Sequence, residues 1–302
     1  MDQAQINNAV KLSESIELTA EERSKKSGSF IELPCGITHY CIEGDGDAVV
    51  LVHGYATPYF IYDKIFEGLV NCGYRVLRYD LLGRGYSQRA DGKYTPAFFA
   101  RQLEELADEL LGSEPFILVG TSMGGTICAE YFRGHKNRVK QLVLLAPAGM
   151  DTFKPPLYMK LCKPAGLGEL IFYNIAGKLL LKKCASELYH VSAQEKDYYQ
   201  RSFADACLYK GFLRCTLSSL RFTILNTAQA VKGYDAIGKS GLPLLCIWGT
   251  ADKTMPYYQS QRLRELCPQV KLITYEGSGH IFLFDEAERT LGDVLEFLRK
   301  EV

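Results

Sequence analysis

Residues 118–125 read Leu-Val-Gly-Thr-Ser-Met-Gly-Gly, and this stretch decides how the rest of the chain is interpreted. A short apolar run at residues 116–119 leads into it, and a helical segment follows from Gly124, which predicts a strand that turns sharply into a helix. Ser122 lies at the turn in the spacing Gly-x-Ser-x-Gly. Gly120 and Gly124 lack the Cβ atoms that would collide in so tight a turn. The spacing therefore predicts a serine hydroxyl held at the carboxyl end of a strand.

The composition is that of an ordinary globular protein. The chain has 302 residues, of which 47% are hydrophobic and 23% are charged. The 35 basic and 35 acidic side chains balance, so no overall field attracts nucleic acid or an anionic membrane. No run reaches the roughly 18 apolar residues of a membrane span, and no secretory signal is visible at the N-terminus. Because the ten cysteines are scattered singly, we expect reduced thiols and a cytoplasmic protein.

Apolar strands alternate with helical segments on both sides of the serine turn. Strands are predicted at residues 48–52, 74–79, 116–119 and 141–146, and a hairpin at residues 29–43. This alternation predicts an α/β fold with a mostly parallel central sheet and helices on both faces. Because the carboxyl ends of parallel strands meet at one edge, the loops after Val52 and Tyr79 should lie beside Ser122.

The alternation breaks after Ala146, and the next core strand begins near Pro243. This gap of about a hundred residues is far longer than one crossover needs. We therefore divide the chain into an N-terminal extension (1–28), a core in two parts (29–149 and 236–302) and an inserted helical cap (150–235), which is the suspected substrate-binding segment. The extension is expected to hold an amphipathic segment followed by a mobile linker. Residues 170–181, the most apolar part of the cap, predict a helix packed on the core or, alternatively, an acyl-channel wall or a lipid-contacting surface.

A serine hydroxyl is a weak nucleophile that needs a base, and the base needs a group that orients it. Asp252 and His280 each follow directly after a predicted core strand, at the edge of the sheet that also carries Ser122. The chain order is serine, then aspartate, then histidine. We assign Ser122 as the nucleophile, His280 as the general base and then general acid, and Asp252 as the carboxylate that fixes the imidazole.

Other residues compete for these roles. His53 ends a strand, but a histidine before a glycine more often holds a loop by hydrogen bonding. The remaining histidines do not follow core strands: His39, His135 and His190. Asp151 follows the strand 141–146 and stays an alternative acid, whereas Asp80 is expected to cap the turn after its own strand.

Acyl transfer also needs N–H donors for the oxyanion that develops on the substrate. One donor is the backbone N–H of Met123, directly after the nucleophile. The second is expected from the loop after Val52, where Gly54 permits a bend that aims the N–H of Tyr55 inward. The sequence carries no motif for a metal, a nucleotide or phosphopantetheine.

Five motifs together resemble the α/β-hydrolase superfamily. They are HGY (53–55), DLLGRGYS (80–87), GTSMGG (120–125), WGTAD (248–252) and GH (279–280). The resemblance covers residues 29–302, and the serine turn with a helical cap is similar to monoacylglycerol lipases, small carboxylesterases and lysophospholipases. It implies a cofactor-free serine hydrolase that acts on a small-molecule ester, with at most weak contact to lipid surfaces.

The resemblance leaves two further interpretations open. Hydrolases that cleave carbon–carbon bonds in ring-fission products are also similar. They usually have an aromatic residue after the catalytic histidine, where this chain has Ile281, and a cap arginine, for which Arg214 or Arg221 could serve. Epoxide hydrolases and haloalkane dehalogenases carry an aspartate in place of Ser122, which argues against them. The other interpretation is a non-catalytic ligand-binding member of the fold.

Overall fold

A computed structural model describes residues 14–176 and 188–300, and its centre is an eight-stranded sheet. The strands are β1 (Ser29–Leu33), β2 (Gly36–Glu43), β3 (Ala48–Val52), β4 (Arg75–Tyr79), β5 (Phe116–Thr121), β6 (Val139–Leu145), β7 (Leu244–Gly249) and β8 (Lys271–Tyr275). Their spatial order is β1-β2-β4-β3-β5-β6-β7-β8. The β1–β2 and β2–β4 pairs are antiparallel, and every pair from β4 to β8 is parallel. The predicted mostly parallel sheet is confirmed.

Helices cover this sheet. The α-helices are Ala20–Ser24, Asp63–Asn71, Pro96–Leu111, Met123–Gly134, Leu157–Leu161, Leu167–Ile171, Ala193–Cys207, Phe212–Ser219, Ala228–Gly238, Gln259–Leu266, Phe282–Asp285 and Ala287–Lys300. Short 3₁₀ turns occupy Tyr59–Tyr62 and Lys136–Arg138, and π-helical turns occupy Phe172–Ala176 and Leu220–Ile224. None of the helices in the described part of the chain is both long and apolar enough to cross a membrane.

The central strands are continuous apolar runs because both of their faces are covered. β5 and β7 are buried along their whole length, which is the pattern of a parallel sheet between two helical layers. Cys128 and Cys246 are buried within this core, as the sequence predicted for several cysteines. Burial raises the pKa of the Cys246 thiol well above its ordinary value, so this residue serves as a small apolar side chain.

The segment between β6 and β7 is helical in its described parts and contacts the loops after β3 and β4. The Tyr55 hydroxyl donates to the carbonyl of Thr216 (2.9 Å), and the hydroxyls of Thr57 and Tyr199 lie 3.2 Å apart. The predicted apolar helix at 170–181 extends beyond the described residues after 176. Up to that point Phe172 is buried in the core and Ile171 packs against it, whereas Leu170 and Ile175 are exposed, so only one face of this segment packs on the core.

Residues 14–28 are bonded to the core and to the segment between β6 and β7. Ile16 bridges to Tyr209, the Lys26 ammonium lies 2.8 Å from the Asp205 carboxylate, and the Ser27 carbonyl lies 2.7 Å from His39 Nε2. The extension was expected to end in a mobile linker, and these contacts correct that expectation for residues 23–28. Its first part, residues 1–13, lies outside the described residues.

Candidate functional site

Ser122 joins β5 to the helix Met123–Gly134 in a strained backbone conformation, with φ 52° and ψ −120°. A positive φ at a residue with a Cβ costs on the order of 1–3 kcal/mol and persists only where the surroundings enforce it. Here the Ser122 N–H donates to the Leu145 carbonyl (2.9 Å), and its own carbonyl accepts from the N–H of Ala148 (2.8 Å). The end of β6 therefore holds the serine in place at the carboxyl edge of the sheet.

The glycines around Ser122 are required by close backbone approach. A Cβ on Gly124 would lie 2.2 Å from the carbonyl oxygen of Val52, and one on Gly120 would lie 2.6 Å from Cys128 Sγ. The predicted reason for the Gly-x-Ser-x-Gly spacing is confirmed by these distances. This spacing lets the start of the helix Met123–Gly134 lie directly against β3. The first N–H groups of that helix have no intrahelical acceptors.

His280 and Asp252 meet after the neighbouring strands β8 and β7. His280 Nδ1 lies 2.7 Å from Asp252 Oδ2, and the Asp252 side chain is fully buried. The two loops are also joined through their backbones, because the N–H of Ala251 donates to the carbonyl of Ser278 (3.0 Å). The sequence predicted this pair from strand ends alone, and the structure brings the two side chains together.

The second carboxylate oxygen of Asp252 is held by the backbone. Oδ1 accepts hydrogen bonds from the N–H groups of Thr254 (2.8 Å) and Met255 (2.6 Å). The loop itself is closed by Trp248, whose indole N–H donates to the Met255 carbonyl (2.8 Å). Because one oxygen is committed to two N–H donors, the other is aimed at the imidazole in a fixed geometry.

The loop after β3 lies against the serine. A Cβ built on Gly54 would be 3.2 Å from Ser122 Cβ and 3.7 Å from Ser122 Oγ, so the backbone before Tyr55 passes directly beside the hydroxyl. His53 holds this loop, as predicted: its Nδ1–H donates to the Gly54 carbonyl (3.0 Å), and its Nε2 accepts from the N–H of Leu81 (2.8 Å). Burial lowers the pKa of His53 to about 4, which keeps the ring neutral and able to accept.

Arg84 is the residue that sequence reasoning missed. Its guanidinium is fully buried and donates to the carbonyls of Tyr55 (2.6 Å) and Gly83 (3.3 Å) and to the hydroxyl of Ser219 (2.8 Å). It forms no ion pair with any described carboxylate. The available signal was an arginine between two glycines in the loop after β4. Arg84 connects the loop that carries Tyr55 to the helix Phe212–Ser219.

The competing acid and a second histidine–aspartate pair lie elsewhere. Asp151 is exposed and bonded to Arg262 (2.8 Å), not to His280. Asp80 pairs with His39 Nδ1 (2.7 Å) and accepts from the N–H of Tyr86 (3.0 Å), so it caps the turn as predicted. Burial would raise the pKa of Asp80, but the hydrogen bond from His39 brings it below its ordinary value. This buried pair fastens the N-terminal segment through the Ser27 carbonyl, which lies 2.7 Å from His39 Nε2.

The two arginines considered as substrate ligands are already engaged. Arg221 pairs with both oxygens of Glu169 and donates to the carbonyl of Cys162 (2.8 Å). Arg214 is exposed and donates to the Arg89 carbonyl (2.9 Å). Within residues 14–176 and 188–300, no group of three or more histidine, cysteine, aspartate or glutamate side chains is placed to hold a metal ion.

The sheet order, the strained serine after β5 and the joined Asp252–His280 pair define a member of the α/β-hydrolase superfamily. More narrowly, the chain belongs to the family described as serine aminopeptidase, S33, whose model matches residues 46–287.

Individual relatives with this fold carry out different reactions. The chain is 26% identical to the non-heme chloroperoxidase CPO-A1 of Kitasatospora aureofaciens, over 85% of this chain and 94% of that protein. It is 28% identical to a 2-hydroxy-6-oxononadienedioate/2-hydroxy-6-oxononatrienedioate hydrolase of Burkholderia vietnamiensis, over 87% and 91% of the two chains. Among solved structures it superposes on a thermophilic esterase from Thermogutta terrifontis with a TM-score of 0.75 and 19% identity, covering 91% of this chain and 99% of the esterase. The last likeness concerns the fold alone.

Proposed function

We propose that this protein is a serine hydrolase that cleaves carboxylic esters of small molecules through an acyl-enzyme. One observation carries the proposal. His280 is joined at 2.7 Å to a buried carboxylate whose other oxygen is already fixed by backbone N–H groups, at the sheet edge that holds the strained Ser122. Membership of a hydrolase superfamily supports the reaction class, and the roles of the individual residues are our assignment.

In the proposed acylation, Ser122 Oγ attacks the carbonyl carbon of the ester while His280 Nε2 removes its proton. The resulting oxyanion accepts hydrogen bonds from the backbone N–H groups of Tyr55 and Met123. His280 then gives the proton to the leaving alcohol as the carbon–oxygen bond breaks. In deacylation, water attacks the acyl carbon while His280 Nε2 takes one of its protons; the bond to Ser122 Oγ then breaks, His280 returns the proton to Oγ, and the carboxylic acid leaves. Asp252 keeps the proton on His280 Nδ1, so that the lone pair on Nε2 receives the serine proton.

The segment 150–235 is proposed to bind the acyl group, with a chain of medium length. The aromatic rings that join this segment to the core support an apolar substrate: the Tyr199 ring lies 5.4 Å from Phe60 and 5.3 Å from Phe284. Phe60 follows the loop of Tyr55, and Phe284 follows His280. These apolar rings therefore join the segment to the two core elements that follow Tyr55 and His280 in the chain.

Carbon–carbon hydrolysis of ring-fission products is the second candidate. The 28% identity to a dienedioate hydrolase favours it. The ion pair of Arg221 with Glu169 and the surface position of Arg214 count against it, because neither arginine is left to bind a substrate carboxylate. Ester hydrolysis needs no such cation, and for that reason it is preferred.

The test is hydrolysis of p-nitrophenyl esters from acetate to palmitate by the wild type, Ser122→Ala and Ser260→Ala. Ser260 is a buried serine in the helix Gln259–Leu266 and serves as the matched control. A maximum at one chain length that disappears only in Ser122→Ala would support the proposal. Absence of ester turnover together with absence of Ser122 labelling by a fluorophosphonate would refute it. Turnover of a ring-fission diketone with no ester turnover would select the second candidate, and p-nitroanilides run in parallel would detect amide hydrolysis.

A further inference from the structure

Every exposed leucine and isoleucine of the described residues lies in one stretch after β6. They are Leu157, Leu161, Leu167, Leu170 and Ile175, and we call this set the apolar patch. Leu157 exposes 70% of its surface and Leu170 63%. Single exposed apolar residues are normal, but such clustering marks a surface that binds an apolar partner.

The apolar patch has a fixed support. Leu157 and Leu161 are four residues apart in one helix, and Leu167 and Leu170 are three apart in the next, so each pair lies on one helix face. The two helices contact each other. Arg221 fastens them from within: it donates to the carbonyls of Cys162 and Pro164 and pairs with Glu169. The outward direction of the leucines is therefore set by a bonded scaffold.

Three lysines are interspersed in sequence among the residues of the apolar patch. Lys154, Lys160 and Lys163 are exposed, and none of them forms an ion pair with a described residue. Glu169 is the one acidic residue between positions 153 and 176, and the bond with Arg221 lowers its pKa to about 2 while satisfying its charge. A chain with zero net charge thus concentrates uncompensated cations beside its exposed leucines.

We propose that the apolar patch and its three lysines dock on a bilayer that contains anionic phospholipid. Leucines of this kind enter the boundary between headgroups and acyl chains, and lysines beside them are attracted by the lipid phosphates. A second protein would satisfy the leucines equally well, but the unpaired lysines interspersed among them match a phosphate-rich surface.

The place of the apolar patch in the fold relates the proposed docking to the site around Ser122. The stretch leaves the sheet at the carboxyl end of β6, and the N–H of Ala148 at its start donates to the Ser122 carbonyl (2.8 Å). Because the patch and Ser122 both follow strands that end at this edge, we expect the ester substrate of a docked protein to be a lipid taken from the bilayer. This identification of the substrate rests on the proposed function, whereas the docking itself does not.

The experiment is co-sedimentation of the full chain with vesicles of phosphatidylcholine alone or with about 30% phosphatidylglycerol. All proteins carry Ser122→Ala, so binding is read without hydrolysis. The test variants are Leu157→Ser/Leu170→Ser and Lys160→Glu. Their matched controls are Tyr258→Ser, an exposed aromatic outside the patch, and Lys136→Glu, an exposed lysine before β6 at the opposite edge. Circular dichroism checks that each variant is folded.

The parent is expected to bind the anionic vesicles and to bind phosphatidylcholine at least about tenfold more weakly. Each leucine replaced should lower the partition coefficient about tenfold, and Lys160→Glu should lower it at least about fivefold, with both controls unchanged. Equal partition of the parent and the leucine variant would overturn the docking. The docking would also be overturned if the parent did not bind vesicles and sedimented as a dimer, while the leucine variant sedimented as a monomer. A second copy of the chain would then cover the patch. Failure of ester hydrolysis in the separate kinetic assay would leave this binding result standing.

Discussion

Replacement of Asp252 by asparagine tests the proposed triad. The hydrogen bonds around residue 252 allow the asparagine side chain only one orientation. Asp252 Oδ1 accepts from the N–H groups of Thr254 and Met255, and Oδ2 faces His280 Nδ1. An asparagine NH₂ cannot face two N–H donors, so its oxygen must take the Oδ1 position. Its NH₂ group then points at His280 Nδ1, which has to act as an acceptor.

This forced orientation moves the imidazole proton to Nε2. In that tautomer His280 has no lone pair to receive the Ser122 proton, and general-base catalysis is lost while the fold is kept. The same change in a serine-protease triad lowers kcat about ten-thousandfold, which corresponds to about 5.5 kcal/mol of transition-state stabilisation. We expect a loss of about 10³–10⁴ in kcat and little change in KM.

The assay is steady-state hydrolysis of the best p-nitrophenyl ester, with circular dichroism as the check on folding. Asp151→Asn is the matched control, because Asp151 is the other acid at this edge and is bonded to Arg262 at the surface. Its kcat should stay within about twofold of wild type, as for an exposed ion pair. Near-normal activity of Asp252→Asn with a large loss in Asp151→Asn would refute the assignment and move the acid to Asp151.

Three further changes test the scaffold around the site. Arg84→Met should lower kcat at least about tenfold with an unchanged circular dichroism spectrum, because the Tyr55 carbonyl loses the donor that fixes its loop; ester kinetics measure this. Gly124→Ala places a Cβ 2.2 Å from the Val52 carbonyl, and urea unfolding should show a loss of at least about 3 kcal/mol. Burial lowers the pKa of His53 from 6.5 to about 4, so the unfolded chain binds a proton that the folded chain does not between these values. The contribution of His53 is therefore lost as pH falls, and the stability difference between wild type and His53→Asn should shrink by about 3 kcal/mol from pH 7 to pH 4.

The parts of the site that follow from local backbone geometry were predictable from sequence. A serine between two glycines after an apolar run can occupy few structures other than a strand-to-helix turn, and the structure places Ser122 there. Asp252 and His280 were found by the same reasoning, since residues directly after parallel strands reach one edge. Among the strands of the sheet only the ends differed: β6, for example, begins at Val139 rather than at residue 141.

The parts that depend on contacts distant in sequence were not predictable in this way. No sequence pattern around Arg84 indicates its hydrogen bond to Ser219, which lies 135 residues later. The apolar run that begins at Leu170 was predicted to pack on the core or, alternatively, to line an acyl channel or contact lipid. In the structure the helix Leu167–Ile171 is oriented by Arg221, and Leu170 faces outward. Periodicity identifies an apolar face but not the surface that this face meets.

The N-terminal extension, although it precedes the residues matched by the family model, is connected to the loop that carries Tyr55 by a short series of hydrogen bonds. The Glu14 carboxylate accepts from the N–H groups of Gly211 (3.1 Å) and Leu213, at the start of the helix Phe212–Ser219. At the other end of that helix, Ser219 accepts from Arg84, which donates to the Tyr55 carbonyl. Arg84 is a buried cation held by neutral acceptors, so its position depends on how well those acceptors are aligned. Because Glu14 caps the helix that carries Ser219, residues of the extension belong to the hydrogen-bonded scaffold that holds Arg84 and the loop of Tyr55.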